Sequence, residues 1–233
     1  MAHISADDQA RIDAIEAALL KRWPETRIEP SLERIAALVD ILGSPQLTYP
    51  TIHIGGTNGK TSTSRMVDSL LFEMGLRTGR FTSPHLESFL ERIAINGEPI
   101  TASAAIFAYN DIAAYLDLMD SKFEHPISFF EAITALAFVA FAEHPIDVGI
   151  IEVGMGGRLD AVNIVDADCA IVTSIDIDHA DFLGGTREAI GLEKAGIFRP
   201  GHIAVCGDPV PPQTLIDHAE KLGCDLWLQG RDY

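Results

Sequence analysis

The sequence predicts an α/β fold built on a doubly wound, mostly parallel sheet. Three observations carry that expectation. Short apolar runs alternate with stretches of helical periodicity along most of the chain, the order a parallel sheet covered on both faces requires. One β-branched run, beginning at Thr51, opens through Gly55 and Gly56 into a turn and then a helical pattern. No internal repeat or low-complexity tract breaks the alternation.

The elements follow in order. Ile12, Ile15, Leu19 and Leu20 fall at helical spacing, predicting a helix over 5–21 that Trp23-Pro24 ends. Ser31 is read as the N-cap of a second helix carrying Leu32, Ile35, Leu38, Val39 and Leu42, stopped at Gly43. Pro45 and Pro50 bracket a linker, so residues 1–50 read as a helical segment packed on a core domain over 51–233. After the first strand, Met66, Val67, Leu70, Leu71 and Met74 mark a helix ending at Gly75. Residues 77–82 are a strand, 83–89 a polar loop, and 91–95 a strand turning at Asn96-Gly97. Thr101 caps a helix to Met119; Ser128 caps a helix over 129–142, apolar nearly all round and therefore buried. Apolar strands follow over 147–153 and 168–175. Then come a helix over 187–195, a strand over 202–206, a helix over 213–221 and a short strand over 225–228.

The totals exclude several classes of function. A chain of 233 residues that is 47% hydrophobic has ample material for a core. It contains no apolar run long enough to span a bilayer, and its polar, acidic first thirteen residues predict no signal peptide, so no membrane partner is expected. The net charge of −17 argues against a nucleic-acid partner held through phosphates. Cys169, Cys206 and Cys224 show neither metal-ligand spacing nor a disulfide framework, which suggests a reducing, cytoplasmic compartment.

Against that acidity, Gly55-Gly56-Thr57-Asn58-Gly59-Lys60-Thr61 stands out. A strand, a glycine-rich turn and a helix that starts with Lys-Thr form a phosphate loop: backbone N–H groups and the helix N-terminus face an anion. Lys60 can reach the outer phosphates, and the Thr61 hydroxyl can meet a nucleotide-bound Mg²⁺. The match to G-x-x-x-x-G-K-[ST] is imperfect, because Ile54 holds the first glycine position.

Three residues downstream have two readings each. Glu152 closes an apolar strand before Gly154-Met155-Gly156-Gly157; it holds a metal or orients water there, or it is a strand-end charge. His179, in an acidic turn after the next strand, is a ligand or a solvated loop residue. Lys194, near a helix end, is functional or simply complements the helix dipole.

Gly56-Thr57-Asn58-Gly59-Lys60, Ser83-Pro84-His85-Leu86, Glu152-Val153-Gly154-Met155-Gly156-Gly157-Arg158-Leu159-Asp160-Ala161, Asp178-His179 and Glu193-Lys194-Ala195-Gly196-Ile197 occur in that order. Together they resemble the folylpolyglutamate synthase / dihydrofolate synthase family of the Mur-ligase superfamily. The resemblance implies a phosphate-loop α/β domain of the Mur-ligase central-domain type. It also implies a cytoplasmic ATP-dependent carboxylate–amine ligase that joins L-glutamate to dihydropteroate, to reduced-folate polyglutamate tails, or to both, through an acyl phosphate. It implies ATP held by Gly56, Thr57, Asn58, Gly59, Lys60 and Thr61, with Asn163 and Arg158 as weaker nucleotide candidates. Two Mg²⁺ ions are implied, the first held by Ser83 and Glu152 and the second partly by His179. Lys194 matches the family's carbamylated lysine, the form in which its side chain can ligate a cation. The pterin is expected at Ser31, Leu32, Ser128, Phe129, Phe130, Glu131, Leu159, Asp160 and Ala161; the phenylalanines suit ring stacking and suit a core equally.

The chain departs from the family's pattern at Thr61, where glycine is frequent, and at Val162, where threonine is frequent. The family also carries a C-terminal α/β domain. This chain is expected to stop before that domain, to bind nucleotide weakly and to leave ligation incomplete. The alternatives are a cell-wall peptide ligase of Mur type and a nucleotide-binding module without ligase chemistry.

Overall fold

The computed structural model describes residues 4–233. In chain order they form α1 (Ala6–Arg22), α2 (Glu33–Ile41), β1 (Thr51–Gly55), α3 (Lys60–Glu73), β2 (Thr78–Phe81), β3 (Ile93–Ile95), β4 (Glu98–Pro99), α4 (Ala102–Lys122) and α5 (Phe129–Glu143). After these come β5 (Val148–Glu152), β6 (Cys169–Val172), α6 (Ala180–Leu183), α7 (Arg187–Ala195), β7 (Ile203–Cys206), α8 (Gln213–Leu222) and β8 (Asp225–Leu228). Among the described residues the strands make one eight-stranded sheet in the order β4-β3-β2-β5-β1-β6-β7-β8. All neighbours from β2 to β8 pair in parallel, and β3 and β4 run antiparallel at one edge.

Side-chain alternation along β1 and β5 divides the interior. Ile54, Val148 and Ile150 face α3 through Val67 and Leu71. The opposite face belongs to the larger core, which joins α1, α2, α4, α5, α7 and α8 through residues such as Ile12, Ile35, Ile112, Phe138, Ile190 and Leu215. α5 lies at its centre, buried from Phe129 to Phe141 except for Phe130, as its unbroken apolar sequence demands.

Local chemistry sets the ends of the helices. Ser5, Thr101, Ser128 and Thr186 each accept a hydrogen bond from an N–H of the first turn. Ser128 does so in a capping box, with Glu131 reaching back to the Ser128 N–H at 2.8 Å.

The structure corrects the sequence reading at four places. Ser31 is not the N-cap of α2: Leu32 holds that position in helical geometry, and Ser31 only accepts from the Glu33 N–H. α4 runs on to Lys122, past Met119. Residues 89–92 form a 3-10 turn, because Glu91 is drawn back to accept from the N–H groups of Leu86, Glu87 and Ser88. The strand expected over 168–175 ends at Val172, where the chain turns to meet the glycine-rich loop. The helix expected after the glycine-rich loop is α3: its inner face carries Val67 and Leu71 together with Ser64 and Asp68, with Asp68 paired to Arg80 and to the Thr78 hydroxyl, while Met66, Leu70 and Met74 are exposed.

Candidate active site

The parallel strands deliver their C-terminal ends to one rim, where ligands of doubly wound sheets bind. β1 ends there in the glycine-rich loop. Gly56 has φ +141°, and a Cβ on it would stand 1.9 Å from the Thr173 hydroxyl oxygen, so only glycine fits. The loop is stitched to the chain after β6. The Thr57 N–H donates to Ser174 O at 2.7 Å, the Thr173 hydroxyl donates to Asn58 O at 2.6 Å, and the Asp176 N–H donates to the Thr57 hydroxyl at 3.0 Å. Lys60 opens α3 and folds over the loop, donating to Gly56 O at 3.1 Å and Thr57 O at 3.3 Å. An incoming phosphate offers that ammonium stronger acceptors than these carbonyls.

Glu152 closes β5 next to this loop. It is 1% exposed, and its Oε1 accepts from the Thr61 hydroxyl at 3.0 Å. Its Oε2 is buried without a hydrogen-bond partner. Burial pushes the carboxyl up to about 7, against the pull of Thr61, Lys60, the Ser83 N–H and Arg80. A buried carboxylate oxygen left bare beside two hydroxyl residues suits a hard cation. Among the described residues no group of three or more His, Cys, Asp or Glu is placed to hold a metal. The donor set at Glu152, Thr61 and Ser83 therefore fits an ion that keeps waters and is completed by phosphate oxygens, as Mg²⁺ is.

A cavity of about 490 Å³ adjoins the loop, walled by Lys60, Ser83, His179, Ser31, Phe130 and the 154–161 segment among others. Phe130 lies against the glycine segment so closely that a Cβ on Gly154 would come 2.6 Å from its ring. α7 presses on Gly157 in the same way, through the Glu193 carbonyl. This contact brings Lys194, 3% exposed, up to the segment. Burial, then the charge of Lys60, push its ammonium down to about 8, with Asp178 and Asp160 opposing. His179 reaches the cavity wall half-exposed, at φ +48°, with Nε2 3.7 Å from Asp178 Oδ2.

The expected pterin residues divide. Ser31, Ser128, Phe130, Glu131, Leu159, Asp160 and Ala161 line the cavity. Leu32 does not, and Phe129 is fully buried in the core beneath the Arg92 guanidinium, 5.2 Å away. Asp160 spends its carboxylate on the N–H groups of Met155 and Val162, at 2.7 and 3.1 Å, and so shapes the glycine segment; burial pushes it up to about 6. Asn163 is similarly occupied. Its amide donates to Arg158 O and Gly196 O, and its oxygen accepts from Arg199, so both amide hydrogens are already taken within the fold. Arg158 pairs with Glu193 at 2.8 Å at the mouth.

Arg34, Glu25 and Phe182 also line the cavity and escaped the sequence reading. Arg34 offered a signal: it lies four residues before Leu38, on the buried face of its helix, where a charge needs a partner. That partner is Glu131, 3.1 Å away, with both side chains almost wholly buried.

Fold and rim together define a phosphate-loop α/β domain with a ligand cavity at the switch point of its sheet. The chain belongs to the Mur ligase middle domain family, whose model matches residues 54–232. A curated Mycobacterium tuberculosis protein, dihydrofolate synthase/folylpolyglutamate synthase, is 47% identical over 97% of this chain and 49% of its own length. The structure of E. coli FolC in complex with DHPP and ADP superposes with a TM-score of 0.86 at 38% identity, covering 94% of this chain and 51% of that one. A bifunctional folylpolyglutamate synthase/dihydrofolate synthase with Mn, AMPPNP and L-glutamate bound superposes at 0.80 and 38% identity, covering 91% of this chain and 51% of that one. The resemblance read from the motifs is thereby borne out. The chain spans about half the length of the curated relatives it matches. Among its described residues no helix is long and apolar enough to cross a membrane.

Proposed function

We propose that this chain supplies the nucleotide- and pterin-binding half of a cytoplasmic ATP-dependent ligase that joins L-glutamate to dihydropteroate, to folate polyglutamate tails, or to both. One observation carries the reading. The unpartnered Oε2 of Glu152 lies beside a phosphate loop that opens directly onto a cavity with an aromatic wall. The relatives' names and bound ligands support the substrate class.

In this reading the N–H groups of Gly56–Thr61 and the ammonium of Lys60 bind the triphosphate and fix the γ-phosphoryl at the cavity mouth. Glu152, Ser83 and the Thr61 hydroxyl hold one Mg²⁺; His179 and a carbamylated Lys194 help hold a second. When bound, these ions neutralise charge that builds on the transferred phosphoryl. Phe130, Leu159 and Ala161 enclose the pterin ring, while Asp160, Asn163 and the Arg34–Glu131 pair hold the wall behind it. A carboxylate oxygen of the substrate attacks the γ-phosphorus and ADP leaves. The glutamate nitrogen then attacks the acyl carbon and phosphate leaves. Lys194 is apt for carbamylation because its burial favours the neutral amine that the reaction consumes.

The test is direct. The chain should bind ATP in a magnesium-dependent manner and dihydropteroate in the adjoining cavity, as read by titration calorimetry. Preference for a muramyl nucleotide peptide over dihydropteroate would replace the folate reading with the cell-wall one.

A further inference from the structure

Arg92 lies outside every role assigned above, yet its side chain is 1% exposed, the largest among those almost wholly buried. All of its donors that the structure pairs go to cavity-wall segments. Nη1 and Nη2 donate to the two carboxylate oxygens of Glu25, at 2.8 and 3.1 Å. Nε donates to His85 Nδ1 at 2.8 Å. Because that nitrogen accepts, the ring proton is on Nε2, which stands 3.1 Å from Glu16 Oε1 on α1. The guanidinium lies over Phe129, the residue before Phe130. The backbone carbonyl of Arg92 accepts from the Thr82 N–H at 2.8 Å, immediately before Ser83.

We infer that Arg92 is a positioning residue that locks two walls of the cavity into one register. One wall is the 83–88 loop, with Ser83 at its phosphate end. The other is the segment after α1, in which Pro24, Glu25, Arg27, Ile28 and Glu29 face the cavity. Three features support this over a purely structural salt bridge. The bidentate fork to Glu25 fixes angle as well as distance. Glu25 is itself partly exposed at the cavity, so its carboxylate is sited for the wall and not for a core. His85 is held at both ring nitrogens, which fixes its tautomer and its plane. The consequence is that the cavity wall at Ser83, proposed for the phosphate side, and the wall at 24–29, which leads into the proposed pterin residue Ser31, are set by one guanidinium. The ligands named for those walls rest on the proposed function; the coupling of the loops rests on these contacts alone.

Amide hydrogen exchange on the unliganded chain tests the coupling. The reporters are the N–H groups of Leu86, Glu87 and Ser88, which donate to Glu91, and that of Arg27, which donates to Pro24 O. Glu25→Ala should speed exchange at 86–88, residues it does not touch, by about tenfold, the loss of one charge-assisted contact. His85→Ala should do the same at Arg27. His85→Asn, whose Oδ1 takes the place of Nδ1, should restore protection at Arg27, whereas His85→Gln, which can reach only toward Glu16, should not. Dihydropteroate affinity should follow the same order. Faster exchange confined to the mutated loop, or equal rescue by Gln and Asn, overturns the inference. Failure of the unaltered chain to bind dihydropteroate would instead count against the proposed function, and the exchange result would still decide the coupling.

Discussion

His53 and Glu152 lie on neighbouring, directly paired strands, and both carry buried polar atoms with no partner. They have opposite meanings. His53 sits mid-strand, fully buried, with both ring nitrogens bare; burial and then the charge of Arg199 push it down to about 3, so it folds as a neutral, apolar-like ring. Glu152 sits at the strand's last residue, where Lys60, Thr61 and the Ser83 N–H already lean on it and one oxygen is still free. A bare polar atom among apolar neighbours is a folding burden. The same bareness among cations and hydroxyls at a sheet's C-terminal rim is what the proposed Mg²⁺ site rests on.

The comparison is broken most severely at Lys60. Lys60→Ala removes the cation proposed to reach the phosphates, and nucleotide affinity should fall by roughly a hundredfold, about 3 kcal/mol for a lost charge-assisted contact. Equilibrium binding of a fluorescent nucleotide checks this, and near-normal affinity would undo the phosphate-loop assignment. Glu152→Gln should come next. It keeps the shape but removes the charge, so the gain in nucleotide affinity on adding Mg²⁺ should shrink by about tenfold, roughly 1.4 kcal/mol. His53→Leu, by contrast, should leave nucleotide binding unchanged, and any large effect there would erase the distinction between the two residues.

How far the sequence shows this distinction depends on distance along the chain. The strand–loop–helix at Thr51–Glu73 is written in adjacent residues, and so is the Ser128 cap of α5, so both are legible. The Arg34–Glu131 pair spans 97 positions, and Arg92 reaches 67 positions back to Glu25, so nothing local announces either. The pair Phe129-Phe130 shows the same limit. Adjacent residues on a helix point about 100° apart, and only tertiary packing decides which ring meets the cavity and which the core. The apolar pattern of α3 shows the helix but not its whole inner face: Val67 and Leu71 pack inward, and so does Asp68, which finds Arg80 and the Thr78 hydroxyl beneath it.

Acid sharpens the comparison further. The folded-state pKa of His53, about 3, lies below its ordinary 6.5, so between those values the unfolded chain binds the extra proton. Its contribution to stability is therefore complete above pH 6.5 and is lost as pH falls toward 3, at up to about 1.4 kcal/mol per pH unit. Urea midpoints measured from pH 7 to pH 4 should fall more steeply for the native chain than for His53→Leu. Parallel curves would mean that the ring finds a partner, such as a buried water.

Lys194 gives the smallest effect and the finest discrimination, because it shares features of both residues: it is buried like His53 and sited at the rim like Glu152. Its pKa is depressed to about 8, so the native state binds fewer protons than the unfolded chain between 8 and 10.5, and stability rises with pH across that window. Below it the buried ammonium weighs against folding in full. Lys194→Met should thus stabilise the chain at pH 7 by about 1 kcal/mol, after allowing for the attraction to Asp178 and Asp160 that is also lost. Bicarbonate should narrow that gap if the amine takes up carbon dioxide, since carbamylation removes the ammonium from the native chain and cannot occur on the variant. A gap that ignores bicarbonate would place Lys194 with His53, as a group the fold merely tolerates.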